Sequence, residues 1–462
     1  VPARRDGVRP LRAADQQEQR RARAWQGDLV RRVRAEPPMK TSIVVCGTGI
    51  VGLATALALA RRGQQVTLLG PRQTFAPASP EIFHPRVYAI SPASQRFLAS
   101  IGVWNMLDAQ RVTAVQAMEI HGDGAGLVNL NAWQAALPEL AWIVESGEIE
   151  RVLTQAVQIF GLNWIEEKFA TYCKAGDADY SATDALPTTA GQSGRSQFAQ
   201  AARETVAERL PCLTTDRGAA LQAELFIAAD GAQSPLRTAA GLPVDIKPYG
   251  VTAIVAHLNC ARPHQGTAYQ WFNDQGVLAL LPMPSTGSGS QVSLVWSLKE
   301  PLAQELLALP APEQATQLSV RLATLTAGRL GELTLRGPLH AFPLSLNQSP
   351  MIGERVALAG DAAHRLHPLA GQGLNLGLGD VHSLVDIVTG REPFRPVGDP
   401  ILLRRYQRSR AEPVMAMRLM TDGLHRLFDA QTTPVVWLRN IGMNIVEKLP
   451  FLKRQIIGGA SR

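Results

Sequence analysis

SIVVCGTGIVGLATALALARRGQQVTLL, residues 42–69, is the stretch on which the fold turns. SIVVC (42–46) is a short apolar run of the kind that forms a buried strand. A small-residue apolar helix is predicted from Ile50 to Arg62, then Gly63, then a second strand, QVTLL (65–69). Strand, helix and strand in this order predict a βαβ unit with a parallel sheet. Between the first strand and the helix lies Gly47-Thr48-Gly49-Ile50-Val51-Gly52. In this setting Gly47 permits the tight turn, Gly49 lets the backbone approach a pyrophosphate, and Gly52 lets the helix pack on the strand. The helix N-terminus then faces the phosphates. An acid is expected about 20 residues on, at the end of the second strand, to hold ribose hydroxyls. That position is Gly70, so the ribose must be held by backbone, water or a neighbour such as Arg72, or nucleotide affinity is weaker.

Working outward, two further strand-to-turn junctions carry chemistry. AELFIAADG (223–231) ends on Asp230-Gly231, with Ser234 and Arg237 at +4 and +7. This places polar groups over one edge of a bound dinucleotide, or else forms a turn capped by Ser234. RVALAGDAAH (355–364) ends on Gly360-Asp361, a carboxylate placed to accept from sugar-type hydroxyls. Pro368 and Gly371-Gln372-Gly373 form a turn, and Leu374-Asn375 opens a helix whose N–H groups favour negative charge. His364 and His367 are three apart but have no acidic or cysteine partner nearby, so no metal site is expected.

The 462 residues exceed one compact core and imply two or three domains. Cys46, Cys173, Cys212 and Cys260 lie far apart, which argues against a disulfide framework and for a reducing compartment. Residues 1–38 hold ten arginines against five acids, so they supply +5 of the net +7 and leave +2 for the body. Nucleic acid is therefore not an expected partner. That segment has few large apolar residues and no secretory core, and is read as a disordered basic extension. A helix is predicted over 148–159 and an irregular insertion over 175–200. Residues 244–347 alternate, as in VTAIVAHL, VLALLPMP and QVSLVWSL, which predicts an antiparallel sheet. From Asp399 the chain reads as mostly helical.

The three glycine-containing junctions, in this order and at these separations, resemble those of FAD-dependent aromatic hydroxylases of the p-hydroxybenzoate hydroxylase class. Within it the chain is most similar to the ubiquinone-biosynthesis hydroxylases. GDAAHRLHPLAGQGLNLGLGD (360–380), PRVYAISPASQRFLASIGVW (85–104), TAYQWFNDQGVLALLPMP (267–284) and YQRSRAEPVMAMRLMTDGLHRLF (406–428) carry the likeness. It covers about 40–462 except the 175–215 region, and residues 1–38 have no counterpart in it. The resemblance implies an α/β (α+β) fold: an FAD-binding Rossmann-like βαβ domain (39–118 with 142–243 and 348–392), an inserted antiparallel-sheet substrate domain (119–141 with 244–347), and a C-terminal helical segment (393–462).

The resemblance also implies one FAD spanning both glycine loops. Gly47, Gly49 and Gly52 would cradle the pyrophosphate, Gly360 and Asp361 would hold the ribityl chain, and the turn Pro368, Gly371, Gly373 with Leu374 and Asn375 would face the flavin ring. Arg86 matches a family arginine near the cofactor, and Asp230 and Gly231 match a motif for FAD and NAD(P)H. The implied activity is monooxygenation: NAD(P)H as co-substrate, O₂, and transfer of a hydroxyl from a flavin C4a-hydroperoxide to a phenolic ring, here polyprenylated. No residue stands out as catalytic base. Tyr269, Trp271 and Leu280 to Met283 either border the ring pocket or serve as sheet packing. Trp437, Ile441, Ile445 and Leu449 share one predicted helical face near Arg439, Lys448, Lys453 and Arg454, read as a peripheral membrane contact or as packing. The expected location is cytoplasmic, peripheral on the inner face of the membrane, among other ubiquinone-biosynthesis proteins. Two alternatives stay open: an FAD hydroxylase of a soluble aromatic compound, and a catalytically silent assembly subunit, the latter favoured by Gly70.

Overall fold

A computed structural model of the chain describes residues 39–75, 81–122, 126–175, 210–365, 372–429, 443 and 446–460. Residues 176–200 of the predicted insertion, Pro368, Gly371, His367, Trp437, Arg439, Ile441, Ile445 and the segment 1–38 lie outside them. The chain divides into two compact units, residues 1–41 with 167–223 and residues 42–166 with 224–462.

In chain order the elements are β1 (Met39–Cys46), α1 (Ile50–Arg61), β2 (Val66–Leu69), β3 (Val87–Ile90), α2 (Pro92–Ser100), β4 (Val112–Val115), β5 (Ala117–His121), β6 (Leu127–Asn131) and β7 (Ala141–Glu145). Then follow α3 (Ser146–Phe160), β8 (Asn163–Ile165), β9 (Phe169–Cys173), β10 (Cys212–Thr215), β11 (Ala220–Ala228) and α4 (Pro235–Ala239). The long strands β12 (Asp245–Cys260), β13 (Thr267–Asn273), β14 (Gly276–Thr286) and β15 (Gly289–Lys299) come next, then α5 (Glu300–Leu307), α6 (Ala311–Leu325) and β16 (Leu333–Gln348). The chain closes with β17 (Ile352–Gly353), β18 (Val356–Leu358), β19 (His364–Arg365), α7 (Gly373–Thr389), α8 (Pro400–Asp429) and α9 (Pro450–Ala460).

The smaller unit is antiparallel. β9 pairs with β10, Cys173 opposite Cys212, and β10 pairs with the first residues of β11, Cys212 opposite Gln222.

The larger unit holds the βαβ start. Its nucleotide-type sheet runs β17-β18-β11-β1-β2-β8, with β1, β2 and β8 parallel and β11 parallel to β18. Helix α1 buries Ile50, Leu53, Ala54, Ala56, Leu57, Ala58 and Leu59. A helix apolar on every side belongs inside, and α1 packs between α3 and α7. Pro235 at the first turn of α4, with Ser234 Oγ accepting from Arg237 N–H at 3.0 Å, makes a capped helix start.

The second sheet runs β19-β16-β12-β15-β14-β13-β5-β6 and is antiparallel except where β13 meets β5. The predicted antiparallel sheet is thus present, but 244–347 is not all strand: α5 and α6 interrupt it. They cover one face, where Trp296, Leu294 and Leu298 pack with Leu306, Leu318 and Leu322. Their sequences carry Pro301 and Pro312 in the first turn and bury residues three or four apart, Ala303 with Leu306 and Leu318 with Leu322. A third, three-stranded sheet runs β3-β7-β4. No helix among the described residues is long and apolar enough to cross a membrane.

Candidate functional site

The first loop closes where β1 enters α1. Gly47 has φ +114°, and a Cβ there would lie 2.3 Å from the carbonyl oxygen of Ala229. The turn therefore demands glycine on both conformational and steric grounds. A Cβ on Gly52 would lie 2.0 Å from the Gly47 oxygen, which accounts for the third glycine as a packing residue. Gly49 differs: nothing lies within 4 Å of its Cβ direction, so its space is left open in front of the α1 N-terminus. This is the arrangement an incoming pyrophosphate needs.

Asp230 sits beside this loop at the end of β11. Its Oδ2 accepts from Leu236 N–H at 3.2 Å, while Oδ1 is buried with no partner among the described residues. Burial pushes its carboxyl up, with the hydrogen bonds from Ser234 and Leu236 and the charge of Arg237 opposing. The same burial, with Asp230 second, pushes the Cys46 thiol well up and leaves it an inert core group. Arg237 is turned inward. It is 3% exposed and donates to Ala362 O and Ala232 O, both at 2.9 Å, tying the Asp230 loop to the Asp361 turn. Gly231 takes φ +86° inside that loop.

Gly360-Asp361-Ala362 form a 3₁₀ turn after β18, and the Asp361 side chain is exposed. Gly373 starts α7 with open space at its Cβ direction, and Leu374 behind it is buried. Asn375 acts as a tie. Its Oδ1 accepts from Ser91 N–H at 2.9 Å and its Nδ2 donates to Ala89 O at 2.8 Å, so α7 begins fixed to the end of β3. Arg86, just before β3, is exposed with its guanidinium 4.9 Å above the Phe342 ring.

Three residues that sequence reasoning missed hold this turn from behind. Asp380 on α7 is fully buried and accepts from Gly360 N–H at 3.0 Å, from His364 Nε2 at 2.7 Å and from Arg410 Nε at 2.7 Å. Arg410 also donates to Leu376 O at 3.1 Å, and Tyr406 Oη to Leu358 O at 2.7 Å. Burial works against a charged His364, but Asp380 outweighs it and raises the imidazole. Burial likewise works against ionised Asp380, but His364 and Arg410 outweigh it and lower the carboxyl. A lone acid in the apolar run GLNLGLGDVHSLV was the available signal, because a buried carboxylate requires partners.

The ring-pocket candidates divide by face. Tyr269, Trp271 and Leu280 belong to the core under α5 and α6, with the Tyr269 and Trp271 rings stacked 5.8 Å apart. Leu281 and Met283 point to the other face and pack with Phe83 and Val87. Leu449 is 47% exposed.

A glycine cradle open only at Gly49, a buried carboxylate oxygen lacking a partner and an exposed carboxylate on the second turn fit FAD. The FAD binding domain family matches residues 40–420. Ubiquinone hydroxylase UbiL of Rhodospirillum rubrum is 31% identical, over 89% of this chain and 87% of the relative. The 3-demethoxyubiquinol 3-hydroxylase of Escherichia coli is 29% identical, over 90% and 97%. Among solved structures, p-nitrophenol 4-monooxygenase from Pseudomonas putida superposes with a TM-score of 0.68 over 92% of this chain and 99% of that one, at 17% identity, which speaks to fold alone. With the flavin cradle in place and this coverage, the chain belongs to the FAD-dependent monooxygenase family, in the branch of the ubiquinone-biosynthesis hydroxylases.

Proposed function

We propose that this enzyme hydroxylates the aromatic ring of a polyprenylated phenol in ubiquinone biosynthesis, with NAD(P)H and O₂ as co-substrates. The observation that carries this reading is the intact flavin cradle in a chain that aligns along most of its length with a named ubiquinone hydroxylase. Bound FAD supplies the transfer of electrons from NAD(P)H to O₂. The protein's own residues do the rest. Gly47 and Gly52 shape the tight turn, with Gly47 N–H spent on Leu69 O at 2.9 Å, so that the open side at Gly49 and the first-turn N–H groups of α1 would face the phosphates. Asp361 would accept from the ribityl hydroxyls, and the α7 N-terminus from Gly373 to Asn375 would offer the flavin a site for negative charge. Asp230 offers its unpaired oxygen at the same edge. Leu281 and Met283, on the sheet face toward Phe83, supply apolar wall that keeps water from the reacting ring.

The strands β5 and β6 join the large sheet with β12 to β16. This supports treating 119–141 with 244–347 as the substrate-binding part. A polyprenyl tail on the substrate would favour work at the cytoplasmic membrane surface, beside other proteins of the pathway, and that location is part of the proposal.

The test is purification of the protein, a visible spectrum, and turnover of prenyl phenols of increasing chain length. A flavin band with activity rising with chain length is expected. Activity confined to short soluble phenols would replace the substrate with a soluble aromatic compound.

A further inference from the structure

Position 70 closes β2, where a ribose-binding acid is expected, and the backbone there excludes one. Gly70 has φ +144°, and a Cβ would lie 2.9 Å from Thr48 Cγ2. Thr48 is itself fixed, its hydroxyl donating to Pro71 O at 2.8 Å. The carboxylate at this edge comes from the neighbouring strand. β8 pairs in parallel with β2, Leu69 opposite Ile165, and Gly70 N–H donates to Ile165 O at 3.1 Å. Glu166 is therefore the residue across the ladder from Gly70. Parallel strands lie about 4.8 Å apart, a gap a glutamate side chain spans.

The surroundings hold Glu166 in place. Trp164 Nε1 donates to Gly70 O at 2.9 Å. Arg72 lies over the Trp164 ring, 4.7 Å from its centroid, and its Nη2 meets Glu166 Oε1 at 2.9 Å. The Glu166 side chain remains 51% exposed. A carboxylate has about four acceptor sites, so the arginine leaves it free to accept more.

We propose that Glu166 accepts hydrogen bonds from the ribose hydroxyls of the adenosine half of FAD, in place of the acid absent at position 70, and that Arg72 orients it. The proposal rests on the FAD assignment.

The test is titration of apoprotein, followed by flavin fluorescence, with FAD and with an FAD analogue lacking the adenosine ribose hydroxyls. Removing one charge-assisted hydrogen bond corresponds to about a tenfold or larger change in Kd. Glu166→Gln should weaken FAD by about that factor. The wild type should lose a similar factor with the analogue, and Glu166→Gln should bind FAD and the analogue almost equally. Unchanged FAD affinity in Glu166→Gln would overturn the proposal. So would equal weakening of FAD and analogue by the substitution, which marks a structural effect away from the ribose. A wild-type protein that takes up no FAD would overturn the flavin assignment itself and the proposal with it.

Discussion

Gly70 and Asp361 are two single residues with opposite legibility. The absence of an acid at position 70 is plain in the sequence, but its reason is not. The reason is a positive φ together with the Thr48 side chain, both products of the folded loop. Adding the acid back should therefore harm the protein. Gly70→Glu forces a side chain into a glycine-type conformation against Thr48, at a cost of about 1–3 kcal/mol. Urea unfolding should show that loss, and flavin titration should show no gain in FAD affinity. Asp361 was legible as a strand-end carboxylate, and the structure leaves its side chain exposed. An exposed acid contributes little to the core, so Asp361→Ala should change the melting temperature of the apoprotein by no more than a few degrees while the purified protein loses its yellow colour. A fully yellow Asp361→Ala protein would remove Asp361 from the flavin site.

Helix α7 is where sequence reading reached only halfway. Its glycine-rich opening marked it as a cofactor helix, yet the group that locks it in place is assembled from Gly360, His364, Asp380 and Arg410, which no local window contains. The same limit hid α5 and α6: they sit between strands of strong alternation, and their apolar positions make sense only once Trp296 and Leu298 lie beneath them. Removing Asp380 would leave the buried Arg410 without its partner, so Asp380→Asn should lower stability by about 3–5 kcal/mol, measured by denaturant unfolding. The network also carries a pH signature. His364 is raised in the folded state, so its contribution is complete below its unfolded pKa, about 6.5, and fades as pH rises through the folded value. Asp380 is lowered, so its contribution is complete above the ordinary aspartate range, about 3.9, and fades as pH falls through its folded value. Asp361 also acts on His364, in the same sense as Asp380, and Arg410 opposes them. His364→Gln keeps a donor for Asp380 but no titration. Urea unfolding at pH 5.5 and at pH 8.5, about one and two units either side of an ordinary histidine, should show a fall in the wild type that the variant lacks.

At the scale of the whole molecule, charge and exposed apolar surface bear on where the enzyme works. The net +7 is concentrated in residues 1–38, so it says little about the body. The C-terminal region offers something more specific. Leu449 and Phe451 are 47% and 67% exposed, and Trp133 is 74% exposed. Arg454 on α9 donates to Gln134 O at 3.0 Å, which sets the Trp133 turn against that helix. Exposed Lys448 and Arg454 accompany them, whereas Lys453 is taken up by Glu447 at 2.8 Å. An aromatic and apolar rim with adjacent cations suits the interface of an anionic membrane, the surface at which the proposed polyprenyl substrate would be met. Each large side chain transferred into the interface contributes about 1.5–3 kcal/mol at most. Two or three of them suffice for reversible attachment. The attachment should weaken as salt rises, because the Debye length shrinks from about 10 Å at 0.1 M to about 3 Å at 1 M. Wild-type protein should therefore float with vesicles containing anionic lipid at low salt and be partly released at high salt. A Trp133→Ser, Phe451→Ser variant should float less while its melting temperature and flavin content stay near the wild-type values, since both side chains lie mainly in solvent. Equal flotation of variant and wild type would move the docking surface elsewhere on the molecule.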